Sequence, residues 1–137
     1  MKTTIVVVLL VVSLTFAQAM AGGIVVIGNN NVPKMDVGTI QKVYTGKFIS
    51  VAGVNVKPVG VKPGTATRNR FLTEFLNQDE DKYTAYWTVR RFIGKGTPPS
   101  DLDSAAAVIS YVQSTPGAVG YIEETDLQPG MNVIARK

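Results

Sequence analysis

Apolar and polar positions along the chain fall into blocks that predict strands alternating with helices. Ile24–Ile27 is a short β-branched run between Gly-rich and Asn-rich stretches, which indicates a buried strand. Beyond it, apolar residues recur three and four positions apart, which predicts a helix that Asp36 caps and Gly46 ends. Weak alternation around Gly53 then predicts a hairpin or bent strand, and residues 57–61 continue in extended form.

The same periodicity predicts three further helices in the second half of the chain. One begins after Gly64 and ends near Asn77, with Arg70 and Glu74 paired four positions apart on its polar side. The next begins at the acidic run 79–81, and its aromatic stripe has the spacing of a helix packed on a core rather than of a stacking platform for bases.

The last predicted helix runs from about Ser104 to Gln113, and polar residues from Ser100 onward offer it several possible caps. Residues 115–117, Thr-Pro-Gly, are expected to end this helix. Residues 118–122 then predict a central strand, and residues 132–135 predict a final edge strand. Strands and helices alternate throughout, so we expect an α/β fold with a mixed sheet of about four or five strands and about four flanking helices.

The first 21 residues predict a secretory signal peptide. Lys2 precedes an apolar run from 5 to 16, which is too short to span a membrane, and Ala19-x-Ala21 offers a cleavage site before Gly22. Cleavage after Ala19 is the alternative site, and an uncleaved anchor or buried N-terminal helix is the alternative structure. We therefore expect a periplasmic or secreted protein, soluble after cleavage, whose single domain comprises residues 22–137.

Composition excludes several classes of function. The chain has neither cysteine nor histidine, so it forms no disulfide, carries no acylated cysteine, and lacks the usual zinc ligands and nucleophile–His pairs. Without Lys2, 13 basic residues stand against 10 acidic ones, a net charge of +3 that is too small and scattered to indicate nucleic-acid binding. We expect no cofactor and no metal.

Residues 56–72 hold the strongest candidate site, because they predict a strand, a tight turn and a helix start. A helix start has backbone N–H groups without intrahelical partners, and Gly64 permits the close approach of an anion to them. Thr65 and Thr67 add hydroxyl groups, and Arg68 and Arg70 add positive charge. The alternative is an ordinary N-cap at Thr65 followed by arginines on a solvated face.

A series of landmarks resembles one lobe of the phosphate-binding proteins of ABC-type uptake systems, which have the type II periplasmic-binding-protein fold. The resemblance spans residues 24–122. Two landmarks lie in the first half: the Val-rich first strand with its Asn/Pro loop, and a helix that ends in Val43-Tyr44-Thr45-Gly46-Lys47. Three follow: the strand–turn–helix at 59–71, the Tyr86-Trp87 helix before Gly94-Lys95-Gly96, and the run 115–122. The last, Thr-Pro-Gly-Ala-Val-Gly-Tyr-Ile, is the most specific.

The resemblance implies phosphate ligands in the strand–turn–helix, and this chain departs from the family pattern there. The family's arginine falls at Val61, its aspartate at Pro63 and its second glycine at Ala66. Because that aspartate accepts the proton of hydrogen phosphate in the family, its loss weakens the expectation of phosphate selectivity.

The site residues implied for phosphate or a related oxyanion are Gly64, Thr65, Ala66, Thr67 and Arg68, the last as a replacement for the lost charge. The family's receptors close two lobes on their ligand, whereas this chain has residues for one. A half-site supplies about 4 kcal/mol, which corresponds to millimolar affinity. A lone lobe would therefore dimerise, dock with a membrane transporter or envelope protein, or have lost its ligand.

Two functions remain open from the sequence. The first is an exported solute-binding-like protein related to the ABC phosphate receptors. The alternative is an envelope interaction or sensory module that has kept the lobe fold without high-affinity binding. We do not expect an enzyme, since the acidic clusters at 79–81 and 123–124 are adjacent in sequence and do not face each other as an acid–base pair.

Overall fold

The computed structural model describes residues 22–137 as a five-stranded mixed sheet with helices on both faces. The predicted signal peptide at residues 1–21 lies outside the described residues. The strands are β1 (Ile24–Gly28), β2 (Ser50–Val51), β3 (Val54–Asn55), β4 (Lys57–Val61), β5 (Ser100–Leu102), β6 (Ala118–Glu123) and β7 (Asn132–Arg136). The helices are α1 (Val37–Tyr44), α2 (Ala66–Phe71), α3 (Glu80–Phe92) and α4 (Ala105–Ser114). A π-helical segment, Leu72–Leu76, continues α2, and a 3₁₀ turn, Glu124–Asp126, follows β6.

The strands of the main sheet lie in the order β5-β4-β6-β1-β7. β4 runs parallel to β5 and β6, whereas β1 runs antiparallel to β6 and to β7. β2 and β3 form a separate hairpin that precedes β4. This mixed sheet with four helices confirms the predicted α/β class, and it confirms β6 as a central strand and β7 as an edge strand.

The core lies on both faces of β6, because consecutive residues of a strand point to opposite sides. On one side α4 packs so closely that a Cβ atom at Gly120 would lie 2.5 Å from Val108 Cγ1. On the other side Tyr121 stacks on Phe71 of α2, with ring centroids 3.9 Å apart, and Tyr44 of α1 contacts the same ring. Both faces of the sheet are thus covered.

Helix α3 lies at the periphery of the fold. Tyr83 and Trp87 are its buried residues, and Trp87 Nε1 donates to Tyr44 O at 3.3 Å. The Tyr86 hydroxyl donates to Thr45 O at 2.6 Å. The aromatic residues Tyr83, Tyr86 and Trp87 pack toward the core as predicted, but Phe92, the last aromatic residue of the helix, is exposed, as is most of the helix surface.

The sequence predicted no strand at Ser100–Leu102, and Ser100 and Asp101 were among the possible caps of the following helix. These residues form β5, the edge strand that pairs with β4, and Ser104 alone caps α4 by accepting from Ala107 N at 3.1 Å. A three-residue edge strand needs no apolar alternation, because few of its side chains are covered. No helix in residues 22–137 has the length and apolarity needed to cross a membrane.

Candidate functional site

The loop Lys62–Thr65 lies at the carboxyl end of β4, between the ends of β5 and β6. From β4 the chain passes through α2 and α3 to β5 on one side, and from β5 it returns through α4 to β6 on the other. The end of β4 is therefore a topological switch point, where open α/β sheets commonly bind ligands. Lys62 N donates to Leu102 O at 3.0 Å and extends the pairing of β4 with β5 up to the loop.

Gly64 keeps this loop open. Its φ angle of +89° lies in the left-handed region that disfavours other residues, and a Cβ atom there would meet no atom within 4 Å. Lys62, Pro63 and Gly64 are all exposed. A small solute can therefore reach the start of α2 from this side.

Thr65 is the N-cap of α2, as the alternative interpretation of the sequence, an ordinary helix cap, predicted. Its hydroxyl accepts from Arg68 N at 3.2 Å and donates to Lys62 O at 3.0 Å, so that it closes the loop onto the helix. Within residues 22–137, no hydrogen-bond partner is found for the backbone N–H groups of Ala66 and Thr67. Two amide donors thus remain available at the helix start, beside the exposed loop.

Arg68 points into the protein rather than toward the loop or the solvent. Only 5% of the residue is exposed. Its Nε and Nη2 atoms donate to the two carboxylate oxygens of Glu80 at 3.0 and 3.1 Å, and Nη1 donates to Asp101 at 2.5 Å. Nη1 also donates to Val61 O at 3.2 Å. The expectation of a solvated Arg68 is wrong, and its charge is already compensated by two carboxylates.

This charged cluster consists of Arg68 from α2, Glu80 from α3 and Asp101 from β5, and it joins three elements. Burial opposes the charge of Arg68, but the hydrogen bonds to Glu80 and the negative charge of Asp101 raise its pKa above the usual value. The guanidinium lies 5.0 Å from the ring centre of Tyr83. It therefore remains charged at any pH at which the protein folds, and it fixes the start of α2 relative to α3 and β5.

Buried tyrosine hydroxyl groups surround the charged cluster. The Tyr121 hydroxyl accepts from Val61 N at 3.1 Å, and the Tyr44 hydroxyl donates to Val59 O at 2.8 Å. Burial raises the pKa of Tyr44, Tyr83 and Tyr121 above that of a free phenol. All three remain neutral hydrogen-bonding groups near pH 7.

Gly60 makes room for the charged cluster. A Cβ atom at this position would lie 2.8 Å from the Tyr121 hydroxyl, 3.0 Å from Asp101 Oδ1 and 3.2 Å from Arg68 Nη1. Gly60 lies within the candidate stretch 56–72 but was given no role there, and sequence reasoning did not identify Glu80 or Asp101 as part of this region. Glu80 was predicted only to favour a helix N-terminus, and no local motif connects residues 12 and 33 positions from Arg68.

Arg70, the other arginine of the predicted site, lies away from the loop. It pairs with Glu74 at 3.6 Å, as the four-residue spacing predicted, and with Glu123 of β6 at 3.6 Å. No three residues of the His, Cys, Asp or Glu type come together as a metal site anywhere in residues 22–137. The start of α2 therefore offers hydrogen-bond donation by backbone amides and by the half-buried Thr67 hydroxyl.

Three solved structures share this fold. A protein from Clostridium perfringens assigned as a phosphate ABC transporter substrate-binding protein, solved with bound phosphate, superposes with a TM-score of 0.62 at 21% identity. An ABC-type phosphate transport receptor from Vibrio cholerae gives 0.56 at 14%, and PstS from Borrelia burgdorferi gives 0.60 at 13%. Each match covers 82% of this chain.

This chain spans less than half of each similar structure, between 44% and 46% of its length. No family model and no curated protein matches the sequence. At these identities the similarity establishes the fold, and the phosphate chemistry named for those proteins does not transfer with it. The chain has the fold of one lobe of the phosphate receptors of ABC-type transport systems.

Proposed function

We propose that this chain is an exported solute-binding-type lobe that holds a small oxyanion, such as phosphate, at the start of α2. The observation that carries the proposal is the exposed loop at Gly64 beside the amide groups of Ala66 and Thr67, at the carboxyl end of β4. The fold of the phosphate receptors supports a related role in solute binding. The Thr67 hydroxyl is a third donor.

In this proposal Arg68 positions the site without contacting the ligand. Its guanidinium is bonded to Glu80 and Asp101, while its amide binds the cap residue Thr65. A few neutral donors and the partial charge of a helix start support only about 4 kcal/mol of binding, or millimolar affinity. We therefore expect a low-affinity site that serves abundant ligand or completes its cleft with a second protein.

Selectivity between oxyanions is expected to be weak. Position 63 is a proline, so the loop has no carboxylate there to accept a proton from hydrogen phosphate. The carboxylates of Glu80 and Asp101 are bonded to Arg68. Phosphate and sulfate should consequently bind within about threefold of each other, a difference below about 0.7 kcal/mol.

A thermal-shift series tests the site, with phosphate, sulfate and chloride compared at matched ionic strength. At twenty times a millimolar Kd, binding stabilises the folded state by about 1.8 kcal/mol, which raises the melting temperature by several degrees. The expected result is a saturable shift with both oxyanions beyond that of chloride. Equal shifts with all three anions would remove the proposal.

The substitution Ala66→Pro sharpens this test, because it deletes one proposed donor at a position where helices accept proline. Ala66 is the first residue of α2, and Thr65 before it already has the extended backbone that proline requires. Ala105→Pro makes the same change at the first residue of α4, behind the extended Ser104. The oxyanion affinity, taken from the concentration dependence of the thermal shift, should fall about fivefold or more in Ala66→Pro. It should remain unchanged in Ala105→Pro.

An envelope interaction or sensory module is the second candidate function. The specific observation in its favour is that Arg68, the residue expected to replace the charge of the family's arginine, is compensated inside the protein. A chain with this function would show no oxyanion-specific stabilisation in wild type or in either proline variant. It would act instead through its exposed surface.

A further inference from the structure

Two segments of the chain, residues 46–58 and 88–98, meet at one end of the molecule. Arg90 joins them, because its Nη2 atom donates to Gly46 O and to Lys95 O, each at 3.3 Å. Ile49 and Pro98 line the same groove between the β2–β3 hairpin and the loop after α3. We call the surface formed by these two segments the apolar–basic face.

Large apolar side chains are exposed on this face. In the part of the chain that the structure describes, every large hydrophobic residue classed as exposed belongs to these two segments. The exposed fractions are 92% for Phe92, 77% for Ile49, 60% for Val89, 57% for Ile93 and 39% for Phe48. Single exposed apolar residues are ordinary on protein surfaces, but five confined to one end indicate a contact surface.

The charges on this face have one sign. Lys47, Lys57, Arg91 and Lys95 are exposed there, and neither segment contains an aspartate or a glutamate. The acidic residues of α3, at positions 79–81, lie at the opposite end of that helix. A surface that combines exposed apolar groups with uncompensated basic groups is complementary to an anionic amphiphile.

We infer that the apolar–basic face docks the protein on an anionic lipid surface. Phe92 and Ile49 would enter the boundary between headgroups and acyl chains, while Lys47, Arg91 and Lys95 contact lipid phosphates. This inference uses different residues from the oxyanion site. It therefore stands or falls independently of the proposed function.

The structure favours a lipid surface over the two protein alternatives. A second copy of the chain would bring two basic faces together with no acidic group in either segment to pair with them. A peptide in the groove of about 490 Å³ would cover Ile49 and Phe48, but Val89, Phe92 and Ile93 do not line that groove. A soft, extended surface can contact both sets at once.

Vesicle co-sedimentation tests the inference with residues 22–137, which contain the whole core described above and exclude the apolar run at 5–16. Vesicles of phosphatidylglycerol and of phosphatidylcholine provide an anionic and a neutral surface. The expected result is binding to the anionic vesicles that weakens as salt is added, with little binding to the neutral ones.

Variants then separate the apolar contribution from the basic one. Phe92→Ser should weaken vesicle binding about tenfold, and Arg91→Glu about fivefold or more. Lys82→Glu is the matched control, because it makes the same change of charge on an exposed residue of α3 outside the apolar–basic face. It should alter binding by less than about twofold at the same salt concentration. Circular dichroism of each variant verifies that the fold is intact.

The inference would be overturned by no binding to the anionic vesicles at low salt, by equal binding to both vesicle types, or by equal losses in Lys82→Glu and Arg91→Glu. Unchanged vesicle binding by the Phe92→Ser variant would also overturn it, since the protein would then contact the lipid surface through charge alone. Self-association that depends on Phe92, without vesicle binding, would assign the face to a second copy.

Discussion

Arg68 shows how one residue can belong to a candidate site by sequence and to the core by structure. Its backbone N–H binds the cap residue Thr65, and its side chain binds Glu80 and Asp101. Four of its hydrogen bonds thus hold α2, α3 and β5 in place around the loop. The residue shapes the start of α2 and contributes little charge to a ligand there.

Replacing Arg68 with alanine should destabilise the fold strongly, because Glu80 and Asp101 would face each other without a cation. Removing one partner of a buried ion pair costs about 3–5 kcal/mol, and we expect about 2–4 here because both carboxylates remain partly exposed. Arg70→Ala is the matched control, since its half-exposed pairs at 3.6 Å should contribute less than about 1 kcal/mol. Urea unfolding of the two variants measures the difference, and similar losses would contradict this role for Arg68.

At the scale of elements, α3 depends on a small number of contacts at its buried face. Trp87 packs closely beside Gly46. A Cβ atom at position 46 would lie 2.6 Å from the Cη2 atom of Trp87. Arg90 also lies against the Trp87 and Tyr86 rings. The contact of Trp87 with Gly46 is thus one of the few that anchor α3 at the end of α1.

Gly46→Ala should loosen α3, and Gly94→Ala should not. Both glycines have a φ angle near +74°, so both variants carry a similar backbone cost of about 1 kcal/mol. Only position 46 adds a clash with Trp87, while a Cβ atom at Gly94 meets nothing within 4 Å. Trp87 is the single tryptophan of the chain, so its fluorescence reports the change. A red shift confined to Gly46→Ala is expected, and matching spectra for the two variants would refute this anchoring.

Helices and buried strands were predictable from the sequence because their signals are local. Asp36, Thr65 and Ser104 cap the helices that the pattern predicted, and each accepts a hydrogen bond from the amide three residues ahead. β5 was not predictable, since Ser100, Asp101 and Leu102 owe their extended conformation to pairing with β4. The charged cluster was not predictable either, because only the folded topology brings Arg68 and Asp101 together.

At the scale of the whole molecule, stability depends on one aromatic core that crosses several elements. Tyr44, Phe71, Phe75 and Tyr121 contact one another between the sheet and the helices α1 and α2. The tyrosine hydroxyl groups of this core bond to the backbone of β4. Ionising a buried phenol therefore requires the fold to open.

Alkaline unfolding should follow from this arrangement. Burial raises the folded-state pKa of Tyr44, Tyr83 and Tyr121 above the unfolded value near 10. A raised folded pKa means that the stability is fully present below about pH 10 and is lost as pH rises toward the folded values. Absorbance of ionised tyrosine and circular dichroism should therefore change together above pH 10. Complete ionisation of all five tyrosines with the fold intact would contradict this expectation.

The oxyanion site is the central functional proposal, and its amide donors can be observed directly. In a ¹H–¹⁵N NMR titration with phosphate at constant ionic strength, the amide signals of Gly64, Ala66 and Thr67 should shift together and saturate with a millimolar Kd. The amide of Ala105, at the matched helix start, should remain unchanged. If the signals at the start of α2 move no more with phosphate than with chloride, the chain does not capture oxyanions at this site.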